Sequence, residues 1–506
     1  MRSRSLAQLG LVLLRQGRSD AIGSCGSRRG SCPVPQCPGE ERIMNAEERL
    51  EGLMRADRAL AEQAADGAVS GVLEVQVGSD ETHHLRYGGN EVVLDHTVRS
   101  HSVTIRAVVD GYLGVATTER CDREGLTWVR DQAVRAAEAQ ARRGGSLERP
   151  YELPGPEAEI SESFGDPSLV DWGQGGGKIQ TLHDVLARAD ADSVVMAGSV
   201  STSMRSQTLL AANGRFLNQR YAVGNGQFIA QTPTGSGFRC GQFTQSGQVG
   251  LQALSEDATF KAKAASHKVD LDVGAYDVVL EPPAVAELLD WMGYVSFTAK
   301  SVEDGMSCLA NRHGEQITGE SITIFDDASA PTGLGVASAF DGEGVAPQRV
   351  TFIDGGRAGN VAHSLASAAR FGGGTCSTGH GDGSGGESVG HLHMAPGQDD
   401  LEAMVKGLER GLWINRFHYV NGLLDPRQAT MTGLTRDGCL LIEGGEVVGG
   451  FHTMRFTESI LEAFKRVDGI GAQLEAVARS MGRGGRATVV PALRIRQFPF
   501  TSKQTR

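Results

Sequence analysis

Ile105-Arg106-Ala107-Val108-Val109-Asp110-Gly111-Tyr112-Leu113-Gly114-Val115-Ala116-Thr117 reads as strand, two-residue turn, strand. Asp-Gly between apolar runs is a strong hairpin signal, because both residues tolerate the positive φ of a tight turn. Upstream, Val72 to Val77 alternates apolar and polar, and Leu85 to Val93 and Ser102 to Val109 repeat the pattern. Downstream, Leu126, Val129, Val134, Ala137 and Ala141 recur at helical spacing over 124–142. A second amphipathic helix is expected over 46–65, opened by an Asn45 cap and the early acids Glu47 and Glu48. An antiparallel sheet with helices beside it is an α+β arrangement.

Composition narrows the function. The chain has 506 residues, 40% hydrophobic and 22% charged, which is ordinary globular usage. Its net charge of −12 argues against non-specific nucleic-acid binding. No apolar run reaches the roughly 18–20 residues of a membrane span. Glycine, 68 residues, is about twice the usual share and falls in turn-like pairs such as Asn213-Gly214, Asn225-Gly226, Asp437-Gly438 and Gly444-Gly445. The eight cysteines include no CxxC and no framework spacing, so reduced thiols and a cytoplasmic location are expected.

Four segments follow. Residues 1–43 hold seven Arg against three acids and are expected to be a disordered or misassigned extension. Residues 44–145 form an N-terminal α+β domain with the antiparallel sheet. A Pro/Gly/Glu-rich linker over 144–176 leads to a helix at 178–190 and a β-rich middle domain, 178–270. A C-terminal β-rich domain with peripheral helices fills 275–485. There Tyr276 to Pro282 is a strand entering a helix that runs to about Ser301. Strands are expected at 320–326, 350–354, 438–443 and 446–451, and helices at 399–411, 457–467 and 471–481. Residues 372–390 are too glycine-dense for a regular element.

The search for chemistry is informative mostly by absence. A metallopeptidase helix needs two His on one face and a Glu to polarise water, yet no His in the chain is followed by Glu. Gly173 to Lys178 lacks the P-loop's first Gly and its final Ser or Thr. Gly386-Glu387-Ser388-Val389-Gly390 lacks the strand and helix of a nucleophile elbow. Cys376, His380, His391 and His393 make a zinc set on paper. Trp291 and Tyr294, three apart on one helix, read as core packing. Arg416, His418, Tyr419, Asn421, Arg427, Arg436 and Asp437 cluster among short apolar stretches and read as solvated loops, or as a groove or subunit contact.

Across residues 45–485 the sequence resembles the TldD/PmbA family. The resemblance rests on Arg86 to Glu91, Ile105 to Thr117, Tyr276 to Pro282, Gly314-Glu315-Gln316 and Ile324-Phe325-Asp326-Asp327. Asp341-Gly342-Glu343-Gly344, Ser377 to His380, Arg416 to Gly438 and Leu441 to Glu446 extend it. It implies a cytoplasmic peptidase system whose TldD-type subunit carries zinc on an HExxxH helix, with a Cys as third ligand. The PmbA or TldE-type partner lacks those ligands, and the heterodimer processes unfolded peptides. The zinc helix would fall on Leu289 to Tyr294. Leu289 and Tyr294 then replace the two His, and Asp290 replaces the Glu.

The resemblance therefore implies a TldE-like chain with no metal or catalytic residue of its own, zinc being expected in a TldD-type partner. Cys376 falls in the right region for a thiolate ligand but has no His partners there. The peptide or subunit groove would use Arg416, His418, Tyr419, Asn421, Arg436 and Asp437. A homodimer is the other assembly. The rival functions are a self-sufficient peptidase built on Cys376, His380, His391 and His393, and a peptide-binding scaffold without turnover.

Overall fold

The computed structural model describes residues 45–66, 72–144, 151–152, 155, 159–478 and 486–504. The expectation for 1–43 lies outside them. Helix α1 (Ala46–Ala65) starts where the cap predicts: Asn45 Oδ1 accepts from Glu48 N at 2.9 Å, and the Glu48 carboxylate accepts from Asn45 N at 3.2 Å. This reciprocal pair satisfies two otherwise orphan donors. Next come β1 (Val72–Gly88), β2 (Glu91–Val109), β3 (Tyr112–Thr118) and α2 (Arg123–Arg143). Asp110 and Gly111 both sit at positive φ, 52° and 82°, as the hairpin reading requires.

The expected strand from Leu85 to Val93 is broken. Gly89 and Asn90, at φ 64° and 63°, reverse the chain there. Asn90 fixes this turn by accepting from Met196 N at 2.5 Å and donating to Val194 O at 2.9 Å. The expected linker also holds structure: β4 (Ile160–Phe164) and α3 (Ser168–Gln174) lie inside it. Then follow α4 (Gly176–Ala191), β5 (Val195–Ala211), β6 (Phe216–Gln231), β7 (Ser236–Phe243) and α5 (Leu251–Ala264). Asn225-Gly226 is no turn, because it lies within β6 opposite Ser201 and Val200 of β5.

These strands form one sheet in the order β3-β2-β1-β5-β6-β4, with β7 on β6. β1 pairs β5 from Glu74↔Ala211 to Tyr87↔Gly198, so strands from 44–145 and 178–270 share a sheet. Alternation assigns its faces. Val75, Val77, Val103 and Ile105 pack with Leu126, Val129 and Ala133 of α2. Leu85, Tyr87 and Phe228 pack with Leu182 and Leu186 of α4 and Leu251 of α5. The opposite face is polar over much of its length, while Leu209, Ala211 and Leu217 at one end pack with Phe340.

The C-terminal part opens with β8 (Lys268–Val269), β9 (Gly274–Leu280), α6 (Pro282–Val295) and α7 (Ala299–Glu303). Proline at the first turn of α6 costs no hydrogen bond. The helix expected to reach Ser301 stops at Val295 and resumes as α7, which Thr298 caps. β10 (Ile324–Asp326), β11 (Val350–Asp354), β12 (Arg357–Ala358), α8 (Leu365–Phe371), β13 (Leu392–Met394) and α9 (Leu401–Lys406) come next. The strands β14 (Arg410–Ile414), β15 (Arg416–Asp425), β16 (Thr430–Arg436), β17 (Leu440–Glu443), β18 (Glu446–Phe451) and β19 (Met454–Ser459) lead to α10 (Ile460–Lys465). β20 (Val467–Ala478) and β21 (Ala487–Lys503) complete the described elements.

Three helix expectations are corrected. The one at 399–411 is α9 followed by strand β14. The one at 457–467 shrinks to α10. The one at 471–481 is strand β20 as far as Ala478, and the rest lies outside the described residues. Ile470, Leu474 and Val477 have helical spacing because an irregularity between Ile470 and Leu474 breaks the two-residue period against β21. The C-terminal sheet runs through β21, which pairs β9, β13, β19 and β20. Helix α6 is embedded in its core, with Ala284, Val285, Leu288, Leu289 and Met292 buried. The fold is α+β, as the sequence reading holds.

Candidate functional site

The polar face of the N-terminal sheet meets loops of the C-terminal part across a cavity of about 1000 Å³. Alternate residues of β1 and β5 wall it: Asp80 and Thr82, then Ser201, Ser203 and Arg205. Asp80 and Arg205 form an ion pair across the two strands. Thr82 Oγ1 donates to Asp80 Oδ1 at 2.7 Å and sits 2.7 Å from Ser203 Oγ. The other wall includes Gly342, Gly381, Asp382 and Ser388. Hydroxyl- and amide-lined walls suit an extended chain whose recognised groups are backbone N–H and C=O.

Ser388 and Arg486 also line a second cavity of about 500 Å³, beside Tyr294 at the end of α6. Arg486 Nη1 donates to Ser388 Oγ at 3.1 Å. A third, of about 370 Å³, shares Asn225 and Ala478 with the first and is lined by Pro283, Glu287, Arg416 and His418. Helix α6 is thus bordered by these cavities near both ends.

The resemblance drawn from the sequence would put the zinc helix on α6, at Leu289, Asp290 and Tyr294. Leu289 is fully buried and offers no donor atom. Asp290 is buried and accepts from Thr488 Oγ1 at 2.5 Å. Tyr294 is 61% exposed, so the reading of Trp291 and Tyr294 as a core pair is corrected. Trp291 does pack under Gly422, where a Cβ would come within 2.9 Å of its ring, while Tyr294 stands outward. These side chains do not fit a zinc ion.

Cys376, His380, His391 and His393 are placed with different surroundings. Cys376 is exposed and its thiol donates to Gly374 O at 3.6 Å. The His393 ring stacks on Phe325, centroids 5.2 Å apart, with Nδ1 2.8 Å from His391 O. His380 and His391 instead flank one buried carboxylate. His380 Nε2 is 3.3 Å and His391 Nδ1 3.8 Å from Asp326 Oδ1. Among the described residues no three His, Cys, Asp or Glu side chains are arranged to hold a metal.

Burial opposes charge on Asp326, but the hydrogen bond and charge of His380, with His391 beside it, hold this carboxyl well below the usual range. Burial likewise opposes charge on His380, yet the Asp326 carboxylate raises its pKa. Burial drives His391 down to about 3. The loop 377–391 is therefore pinned by the buried His380–Asp326 pair. It is pinned again where Gly381 N donates to Asp341 Oδ2 at 2.6 Å.

A second buried cluster joins the two parts of the chain. Arg106 of β2 pairs with Glu74 of β1, and its Nη1 donates to Gly342 O at 2.5 Å and Gly383 O at 3.1 Å. Glu343 beside it is fully buried, and burial, then the Asp341 charge, push its carboxyl up to about 8. Gly342 is required here, since a Cβ would lie 2.5 Å from the Asp382 backbone.

Of the expected groove residues, Arg416 and His418 line the third cavity. Arg416 lies over the Phe238 ring at 3.8 Å and is held by Asp437, which also has Arg436 Nε 3.7 Å away. Tyr419 projects into solvent, 76% exposed, at φ 51°. Asn421 accepts from Leu423 N at 2.8 Å, at an irregularity within β15. Sequence reasoning missed Asp80, Ser201, Ser203, Arg205 and Arg486. The alternation of Ser199, Ser201, Ser203, Arg205 and Gln207 was the available signal for all but Asp80 and Arg486.

Residues 273–502 match the family model described as the PmbA/TldA metallopeptidase C-terminal domain. A metalloprotease of Methanothermobacter thermautotrophicus is 22% identical over 447 residues, spanning 84% of this chain and 94% of that protein. An uncharacterized protein of Methanocaldococcus jannaschii is 27% identical over 192 residues, 38% of this chain, and the match spans 45% of that relative's length. The crystal structure of TldE from Thermococcus kodakarensis superposes with a TM-score of 0.71 at 19% identity, covering 90% of this chain and 100% of that one. The fold is thus shared with TldE, and residues 273–502 carry the PmbA/TldA metallopeptidase C-terminal domain.

Proposed function

We propose that this chain is the non-zinc, TldE-like subunit of a TldD/PmbA-type metallopeptidase complex that degrades or processes unfolded peptides in the cytoplasm. The observation that carries the reading is helix α6. It lies beside the cavities, yet presents Leu289, Asp290 and Tyr294, of which one has no donor, one is committed to Thr488 and one is exposed. In this reading the chain walls the cleft and holds extended peptide, while the zinc belongs to a TldD-type partner. The hydroxyl-rich wall from β1 and β5 supports a backbone-directed and therefore sequence-tolerant grip.

Metal content and cleavage of an unfolded peptide test it, measured on the chain alone and after co-expression with a TldD-type subunit. The expected result is a lone chain that is metal-free and inert, and a pair that holds zinc and cleaves. A lone chain that binds one zinc tightly and cleaves overturns the reading and favours a self-sufficient enzyme. Peptide binding without turnover in either preparation favours the scaffold.

A further inference from the structure

We propose that the open edge of β2 is a self-association surface, where Leu94 to Ser100 pairs antiparallel with the same stretch of a second copy about a two-fold axis. The inference concerns how copies of this chain assemble, and it stands whether or not the cleft holds peptide.

β3 covers β2 only from Val103 to Val109. Beyond that, among the described residues, β2 has a strand on one side only. From Leu94 to His101 it pairs β1 without irregularity, Leu94↔Arg86 through His101↔Ser79. Its outward N–H and C=O groups are therefore a straight template. The stretch contains no proline, and every residue from Glu91 to Ser100 is exposed. Val93, Leu94 and Val98 are 64%, 43% and 48% exposed on this edge. A long, flat edge strand carrying apolar side chains is a feature that soluble proteins normally blunt or cover.

The residues of this edge are complementary to themselves. A two-fold axis perpendicular to the sheet keeps side chains on their own faces and sets residue i opposite residue j of equal parity. Centred on Thr97, it sets Asp95 of each copy opposite Arg99 of the other. Centred on Asp95, it would oppose two carboxylates. Arg99 Nε already donates to Glu81 Oε2 at 2.6 Å, and Lys178 Nζ reaches Asp95 Oδ1 at 3.3 Å. The Thr97-centred register therefore aligns Glu81, Arg99, then Asp95 and Lys178 of the second copy, in alternating sign, twice over. On the other face Val98 of one copy meets Val98 of the other on the diagonal, within cross-strand reach. The contact is isologous and closed, so it ends at two copies.

Sedimentation equilibrium of the full chain alone, without partner or peptide, tests the proposal. The expected species is a dimer. Asp95→Arg and Arg99→Asp should each weaken dimerisation at least tenfold, and the double variant should restore it. Val98→Lys touches no ion pair and should give a monomer that melts within a few degrees of the parent. Thr97→Cys should cross-link to itself under mild oxidation beyond the parent's background, and Ser100→Cys should not. A monomeric parent overturns the proposal, as does a dimer indifferent to Val98→Lys and to both charge reversals. Neither result bears on zinc or cleavage, so this failure is distinct from failure of the peptidase reading.

Discussion

His380 Nε2 and Asp326 Oδ1 face each other at 3.3 Å with both side chains buried, tying the glycine-dense loop over 377–391 to strand β10. Removing one partner of a buried pair costs about 3–5 kcal/mol, because the other charge is stranded. Asp326→Asn should lower the unfolding free energy by about that amount in denaturant titration. Asp326→Asn and His380→Gln together should cost less than the sum.

The two histidines of this cluster have opposite pH dependence. The pKa of His380 is raised, so its contribution is complete below about 6.5 and is lost as pH rises through its folded value. His391 is depressed to about 3, so the unfolded chain takes up that proton first, and stability falls as pH drops below about 6.5. Melting curves from pH 4 to 9 should show His391→Gln flattening the acid limb and His380→Gln flattening the alkaline one.

Glu343 is pushed up to about 8 by burial. A raised folded pKa favours the folded state below the unfolded value and loses that contribution as pH rises through the folded one. The contribution of Glu343 should therefore decline from about pH 5 to 8. Glu343→Gln, neutral throughout, should remove most of that slope and melt higher than the parent at pH 8.

Leu289 and Tyr294, the two proposed replacements of zinc ligands, have contrasting surroundings, one in the core and one 61% exposed. Leu289→Ala should destabilise by about 2–5 kcal/mol through the cavity it leaves. Tyr294→Ala should change stability by no more than about 0.5 kcal/mol. Chemical denaturation of the two variants makes the comparison.

The hydroxyl wall makes a steric prediction. Ser201 lines the cavity of about 1000 Å³, and Ser201→Trp should fill part of it. Peptide binding or cleavage by the assembled complex should fall at least tenfold, with a melting temperature close to the parent's.

The N-terminal sheet was readable because Asp110-Gly111, the Asn45 cap and the alternation in β1 and β2 are local signals that tertiary contacts reinforce. The Leu85–Val93 strand failed because Gly89-Asn90 can be read as strand interior until the Asn90 side chain finds β5. Helix 471–481 failed because an irregular strand mimics helical spacing. In the site, the proposal that Leu289, Asp290 and Tyr294 of α6 replace zinc ligands rests on resemblance alone. The Asp326, His380 and His391 arrangement could not be read from the sequence, because Asp326 lies 54 or more residues from its partners and only β10 and β13 side by side bring them together. The serines of the cavity wall are ordinary residues on ordinary strands, and only the shared sheet of β1 and β5 gives them a common purpose.

The placement of β21 has a consequence for biosynthesis. This strand, Ala487–Lys503, lies between β9 and β13 and also holds β19 and β20. On the ribosome, β9 and α6 emerge some two hundred residues before the strand that closes over them. Until then the apolar face of α6 has no lid, and the nascent C-terminal half is a client for chaperones rather than a folding unit. Deleting a few residues from β21 should therefore act as an all-or-none lesion, removing the centre of a sheet rather than trimming its edge.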